Sequence, residues 1–204
     1  MIAIIDYGLG NLRSIEKAFE RQKVHAVITN DIDLINKAEK LVLPGVGHFE
    51  SGMKNLIDFG LVNILNKKVL EEKVLILGIC LGMQLMTDFS EEGNCSGLGW
   101  IRAKTTRFNL NKINSSLKIP HMGWNNINIM KNCSIMSGIE SDALFYFVHS
   151  YFVTCDNDSE VLTNTIYGHE FHSGFKKDNI IGFQFHPEKS HDAGLQILRN
   201  FAVM

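Results

Sequence analysis

The stretch Val74–Met86, VLILGICLGMQLM, decides how the chain is read. Val74 to Leu77 have the composition of a buried strand, Gly78 to Gly82 then hold one cysteine between two glycines, and a helical pattern follows. A strand that turns sharply into a helix is the repeating unit of a layered α/β protein. The residues before it repeat that unit. MIAIID reads as a buried strand, NLRSIEKAFERQ as a helix with Leu12, Ile15 and Phe19 on one face, VHAVIT as a strand, DIDLINKAEK as an acid-capped helix, and LVLPGVG as a strand ending in a turn. Residues 49–72 read as one helix burying Leu56, Ile57, Leu61, Ile64 and Leu65.

After Trp100 the rhythm changes. IRAKTTRF, KINSSLKIPHMGWNNINIM, ALFYFVHSYFVT, EVLTNTIYGHEF and NIIGFQFHPE read as shorter strands joined by polar turns, and HDAGLQILRNFAV as a closing helix. Continuous apolar strands alternating with helices predict a parallel sheet covered on both faces. The expectation is one α/β domain over residues 1–204, with a central, mostly parallel and partly mixed sheet flanked by helices.

With 20 basic and 22 acidic residues in 204, the net charge of −2 leaves no footprint for nucleic acid or an anionic membrane. No apolar run approaches the ~20 residues that cross a bilayer, and MIAIIDYGLGN lacks a signal-peptide pattern, so a cytoplasmic location is expected. Cys80, Cys95, Cys133 and Cys155 form no C-x-x-C pair, which disfavours a zinc knuckle or a disulfide framework. His169 and His172 lack a third ligand at metal-binding spacing, so surface histidines and no metal are expected. Gly8-x-Gly10 follows a strand, but Arg13 stands where a dinucleotide fingerprint needs its third glycine. No cofactor is expected.

Cys80 has two readings. A free cysteine in a core strand is ordinary, since this is among the most buried residue types. The G-x-C-x-G pattern is also that of a nucleophile on a strand-to-helix elbow, where a helix N-terminus favours the thiolate and lowers a thiol pKa from about 8.5. The second reading gains from GFQFHPEKS. Residues i and i+2 of extended chain face one side, so His186 can meet Cys80 while Glu188 orients the imidazole. The glycine-flanked segment Pro44 to Gly47 can turn a backbone N–H outward, and with the N–H of Leu81 it makes a candidate oxyanion hole.

PGVG, GICLGMQ and HPE, in that order, resemble the class I (triad) glutamine amidotransferases. DYGLGNLRS, CLGMQ and PHMGWN at 120–125 sharpen the match to the glutaminase subunits of imidazole glycerol phosphate synthase, over essentially the whole chain. The resemblance implies a flavodoxin-like fold and glutamine hydrolysis through a thioester, with Cys80, His186 and Glu188 as the triad and Val46, Gly47 and Leu81 around the oxyanion. It places Gly52, Gln84 and the backbone of Ser150 and Tyr151 against L-glutamine. It also implies a (β/α)8-barrel cyclase partner that takes the ammonia, with Tyr7, Asn11, Arg13, Pro120, His121, Trp124 and Asn125 at the interface. For Trp124, an interface anchor and a core residue stand about even. His48 after PGVG and Trp100 after GLG depart from the expected pattern. They leave open a paralogue that feeds ammonia to a surface-polysaccharide or flagellar sugar. A regulatory module with a relict triad and a cysteine peptidase fit the segments less well.

Overall fold

The computed structural model describes residues 1–109 and 117–204. Its first half follows the strand-helix rhythm: β1 (Ile2–Ile5), α1 (Leu12–Glu20), β2 (Ala26–Thr29), α2 (Ile32–Lys37), β3 (Lys40–Leu43), α3 (Phe49–Asp58), α4 (Leu61–Asn66), β4 (Leu75–Ile79) and α5 (Leu81–Leu85). Asp31 caps α2 by accepting from the N–H groups of Asp33 and Leu34 at 2.8 and 3.2 Å. That helix ends at Lys37, short of the expected Lys40, because Lys40 already pairs in β3.

The helix expected over 49–72 is broken. Gly60 takes a left-handed conformation (φ 67°), stopping α3 and resetting the phase of α4, and a π-helical turn follows over Lys67–Glu71. Leu56, Leu61 and Leu65 therefore reach the core, while Ile57 is 63% exposed.

The second half supplies β5 (Thr87–Ser90), β6 (Cys95–Ser96), β7 (Ile101–Arg107), β8 (His121–Asn126), β9 (Asn128–Ile129), β10 (Leu144–His149), β11 (Tyr151–Cys155), β12 (Val161–Tyr167), β13 (His169–Lys177), β14 (Ile180–Phe183) and the closing α6 (His191–Val203). The strand expected to begin in KINSSLKI lies partly at 112–116, outside the described residues. ALFYFVHSYFVT, expected as one strand, divides at Ser150: β10 pairs with β8 in a small antiparallel sheet, whereas β11 joins the main sheet. Neither β5 nor β6 was predicted, being too short to show a period.

Among the described residues the main sheet runs β2-β1-β3-β4-β14-β13-β11-β7-β5-β6, with β12 and β9 attached beside β13. From β2 to β14 every pairing is parallel, and β14 meets β13 antiparallel. Ile2, Ile4, Leu77 and Ile181 pack on one face with Phe19 of α1 and Phe201 of α6. Ala3, Ile5, Ile76 and Ile180 pack on the other with Leu56 of α3 and Leu61 of α4. Burial on both faces explains the unbroken apolar strands.

The order reverses at β1, so β1 and β3 part at their carboxyl ends, the position where open α/β sheets hold ligands. The loops after β1, β3, β4 and β14 converge there. They carry Tyr7, Pro44–Gly47, Cys80 and His186.

Candidate active site

Cys80 is the turn itself. Its backbone sits at φ 53°, ψ −110°, a region that a residue with a Cβ enters only at a cost of about 1–3 kcal/mol. Its N–H donates to the Phe183 carbonyl of β14 at 2.8 Å, and its carbonyl accepts from the Gln84 N–H at 3.2 Å. These bonds hold the strained elbow and leave the side chain buried at the head of the sheet.

Gly82 is required by close approach: a Cβ there would stand 1.7 Å from the Leu43 carbonyl oxygen. Removing that atom lets α5 lie directly on the end of β3. However, α5 has five residues, too few to build a macrodipole, so the thiolate-favouring helix N-terminus expected from sequence is corrected. Any activation of the thiol falls to its side-chain neighbours.

Those neighbours come from β14 and the turn after it. The His186 N–H donates to the Tyr146 carbonyl at 2.9 Å, and the Ser190 hydroxyl ties the turn by donating to the His186 carbonyl at 2.6 Å. His186 and Glu188 do meet, with Nδ1 2.8 Å from Oε1 and both side chains almost wholly buried. They do so across a 3-10 turn over Pro187–Lys189, not along the extended chain that the sequence suggested, because Pro187 starts the turn.

With Nδ1 committed to Glu188, Nε2 is the nitrogen left for the Cys80 sulfur, and it makes no hydrogen bond of ordinary geometry to nitrogen or oxygen. Burial alone would push His186 down. The neighbouring Cys80 sulfur and the hydrogen-bonded Glu188 carboxylate together outweigh burial and raise the imidazole to about 10. In an NMR titration of the His186 ring, the wild type should change protonation near pH 10. Cys80→Ala should move that midpoint down, because a cation-stabilising partner is gone and burial remains. An unmoved midpoint would show that Cys80 does not charge the ring.

The cleft beside Cys80 has a volume of about 390 Å³. Val46, Gly47 and Leu81 line it, as do Gln84, Ser150 and Tyr151. Gly47 sits at φ 113°, a conformation open to glycine, which lets the loop after β3 turn its backbone sharply. Gly52 does not join them: its N–H is spent on the His48 carbonyl inside α3, and its Cα packs against Leu85.

Two residues at the site escaped the sequence reading, one lining the cleft and one buried beside Cys80. Glu92 is the one acid among the described residues lining the cleft, and it also accepts the Phe49 N–H at 2.8 Å. Gln184 is fully buried; its Nε2 donates to Cys80 Sγ at 3.6 Å and its Oε1 accepts from Gln84 Nε2 at 2.9 Å. Its position two residues before His186, in the stretch that leaves β14, was the available signal.

The expected interface residues divide. Asn11, Arg13 and Pro120 are exposed, Asn125 is half-buried, and Trp124 is 43% exposed with its ring stacked on His191 at 4.6 Å. Pro120 also lines the cleft. Tyr7 and His121 are buried, which corrects their placement. The Tyr7 hydroxyl donates to the Pro44 carbonyl at 2.6 Å, inside the chain, and burial pushes its pKa far up. Tyr7 thus fastens the loop after β3 to the loop after β1. Tyr7→Phe should lower stability by about 1–2 kcal/mol in urea unfolding, because a buried carbonyl loses its partner. It should also reduce turnover through a looser Val46–Gly47 segment. Wild-type turnover in that variant would remove the loop from the argument.

His169 and His172, expected at the surface, are half-buried, and His121 and His149 are inside. His172 Nδ1 accepts the Cys155 N–H at 3.0 Å. Among the described residues no three His, Cys, Asp or Glu side chains gather as a metal site.

Fold and site define a class: an α/β protein with a cysteine on a strand-helix elbow, faced by a His–Glu pair and a glycine-bearing loop, the equipment for covalent attack on an amide. Residues 3–204 match the family described as "Glutamine amidotransferase class-I". Among curated relatives, imidazole glycerol phosphate synthase subunit HisH 2 of Methanococcus maripaludis is 52% identical over 201 residues, 98% of each chain. Subunit HisH of Leptospira borgpetersenii is 41% identical over the whole of both chains. Subunit HisH 1 of Campylobacter jejuni strain RM1221 is 47% identical over 98% of each. A solved glutamine amidotransferase superposes with TM-score 0.76 over all of both chains at 18% identity, and PurLQS from Thermotoga maritima with 0.71, covering 98% of this chain and 96% of its own. These two show the fold. The chain belongs to the class-I glutamine amidotransferases, and within them to the imidazole glycerol phosphate synthase HisH subunits.

Proposed function

We propose that the chain is the glutaminase subunit of an imidazole glycerol phosphate synthase. One observation carries the mechanism: Cys80 and the hydrogen-bonded His186–Glu188 pair share a buried site beside a cleft of about 390 Å³, with room for an amino acid. Cys80 sulfur attacks the side-chain amide carbon of L-glutamine, and the carbonyl oxygen, now negative, is received by backbone N–H groups around Val46, Gly47 and Leu81. His186 gives its proton to the departing nitrogen, so ammonia leaves and a thioester remains. His186, now neutral, takes a proton from water, which attacks the thioester and releases glutamate and Cys80. Glu188 keeps the imidazole oriented through both halves. On this reading Glu92 faces the substrate ammonium, Gln84 its amide end, and the Ser150–Tyr151 backbone its carboxylate, all residues that line the cleft.

Ammonia that escaped into water would be protonated and lost to an acceptor, so the reading includes a (β/α)8-barrel cyclase that makes imidazole glycerol phosphate and aminoimidazole carboxamide ribonucleotide. The names of the relatives, each a synthase subunit, support a heteromeric complex. Met122 and Trp124 of β8 and Leu144 of β10 leave apolar surface open on the small sheet, as a docking face does. No helix among the described residues is long and apolar enough to cross a membrane, and a cytoplasmic location belongs to the same reading. The sugar-amidating alternative is not favoured by relatives at this identity. Glutamate release should be slow for the chain alone and rise at least tenfold, roughly, with the barrel and its nucleotide bound. Equal rates in both conditions would remove the coupled partner from the reading.

A further inference from the structure

His121 opens β8 and His149 closes β10, and the two are register partners across the small sheet. His149 Nδ1 lies 2.7 Å from the Tyr151 carbonyl, which can only accept, so that nitrogen carries hydrogen. His149 Nε2 is then an acceptor and receives a hydrogen from His121 Nδ1 at 3.0 Å. His121 Nε2 in turn accepts from Asn125 Nδ2 at 3.3 Å, whose amide orientation is set by the Ile166 carbonyl at 3.0 Å and the Asn126 N–H at 2.9 Å. The chain of bonds runs one way from the half-buried Asn125 to the cleft, and a further proton on either ring would set two donors against each other. Burial pushes both imidazoles down, His149 to about 3 and His121 to about 4, in keeping with neutral rings.

The inner end of this chain falls where the backbone changes sheets. His149 is the last residue of β10 in one sheet, Tyr151 the first of β11 in the other, and the Ser150–Tyr151 segment forms a wall of the cleft. The Tyr151 carbonyl is held twice, by His149 and by Gln84 Nε2 at 3.0 Å.

We propose that the His121–His149 pair is a positioning device for substrate glutamine, with His149, itself at the cleft wall, pinning the Ser150–Tyr151 crossover and linking its geometry to Asn125 on the β8 side. It rests on the glutaminase reading above.

Because His149 packs among the rings of Phe108, Phe147 and Phe171, two substitutions separate its ring from its hydrogen bond. His149→Phe keeps an aromatic ring and loses the donor to Tyr151. His149→Asn loses the ring and places an amide donor near the same carbonyl. Glutaminase kinetics are measured on the complex with the barrel subunit, with folding followed by circular dichroism. For His149→Phe, KM for glutamine should rise about three- to tenfold with kcat within about twofold, the size of one lost hydrogen bond. His149→Asn should recover most of the wild-type KM, and His121→Phe, which leaves His149 without its outer donor, should raise KM in the same direction. A wild-type KM in His149→Phe, or an Asn variant worse than Phe, overturns the proposal, because packing alone then explains the pair. Should either His149 variant fail to fold, the His121→Phe KM decides. If the wild-type complex releases no glutamate from glutamine, the glutaminase reading itself has failed, a result distinct from any of these.

Discussion

Cys80→Ala should abolish glutamine hydrolysis, with glutamate release by the partner-bound complex falling at least about 10³-fold, the scale on which removal of a covalent nucleophile acts. The fold should survive, since the substitution shortens one side chain in a buried but polar-lined site. The same position gives a second, less expected result. Its backbone at φ 53° and ψ −110° is one that glycine adopts without strain and alanine does not. Cys80→Gly should therefore be more stable than Cys80→Ala by about 1 kcal/mol in denaturant unfolding, the reverse of the order in a helix or strand. Both variants should be inactive. If Ala proved the more stable, the elbow would be less strained than its dihedrals imply; if Ala retained activity, the nucleophile would lie elsewhere.

Gly82→Ala should be the most damaging single-methyl change to stability. The added carbon would stand 1.7 Å from the oxygen and 2.7 Å from the carbon of the Leu43 carbonyl. Both atoms are backbone of a central strand, so no rotamer change relieves the overlap, and α5 must lift away from β3. The expected loss is about 3 kcal/mol or more, at the upper end for overpacking, or roughly 6–12 °C in Tm for a chain of this length. Because Leu81 and Cys80 move with α5, turnover should fall too. A melting temperature within about 2 °C of wild type would mean that α5 does not pack as closely as described.

Much of this was legible beforehand, for reasons that differ by element. The strands β1, β3 and β4 were plain because both their faces are buried, so their apolar residues run unbroken. Gly60 escaped because a single glycine in an amphipathic run is compatible with continuous helix until its φ is known. The division of β10 from β11 escaped because HSYF has no breaker; Ser150 changes sheets through tertiary pairing alone. At the site, Cys80, His186, Glu188 and the loop after β3 were visible as motifs, whereas Glu92 and Gln184 carry no local signature and matter through what stands opposite them.

The sequence by itself determined the order of strands and helices, the glycine-cysteine-glycine elbow, and the residue types available for thiol chemistry, since these follow from periodicity and from the short-range demands of a turn. Only the tertiary structure decided that β4 lies between β3 and β14, which sets Cys80 beside both the loop after β3 and His186 from 106 positions later, as the difference between 186 and 80 gives. It alone put Tyr7 inside against Pro44 and joined His121 to His149. Each of these depends on contacts between segments distant in the chain, and a local pattern carries no record of them.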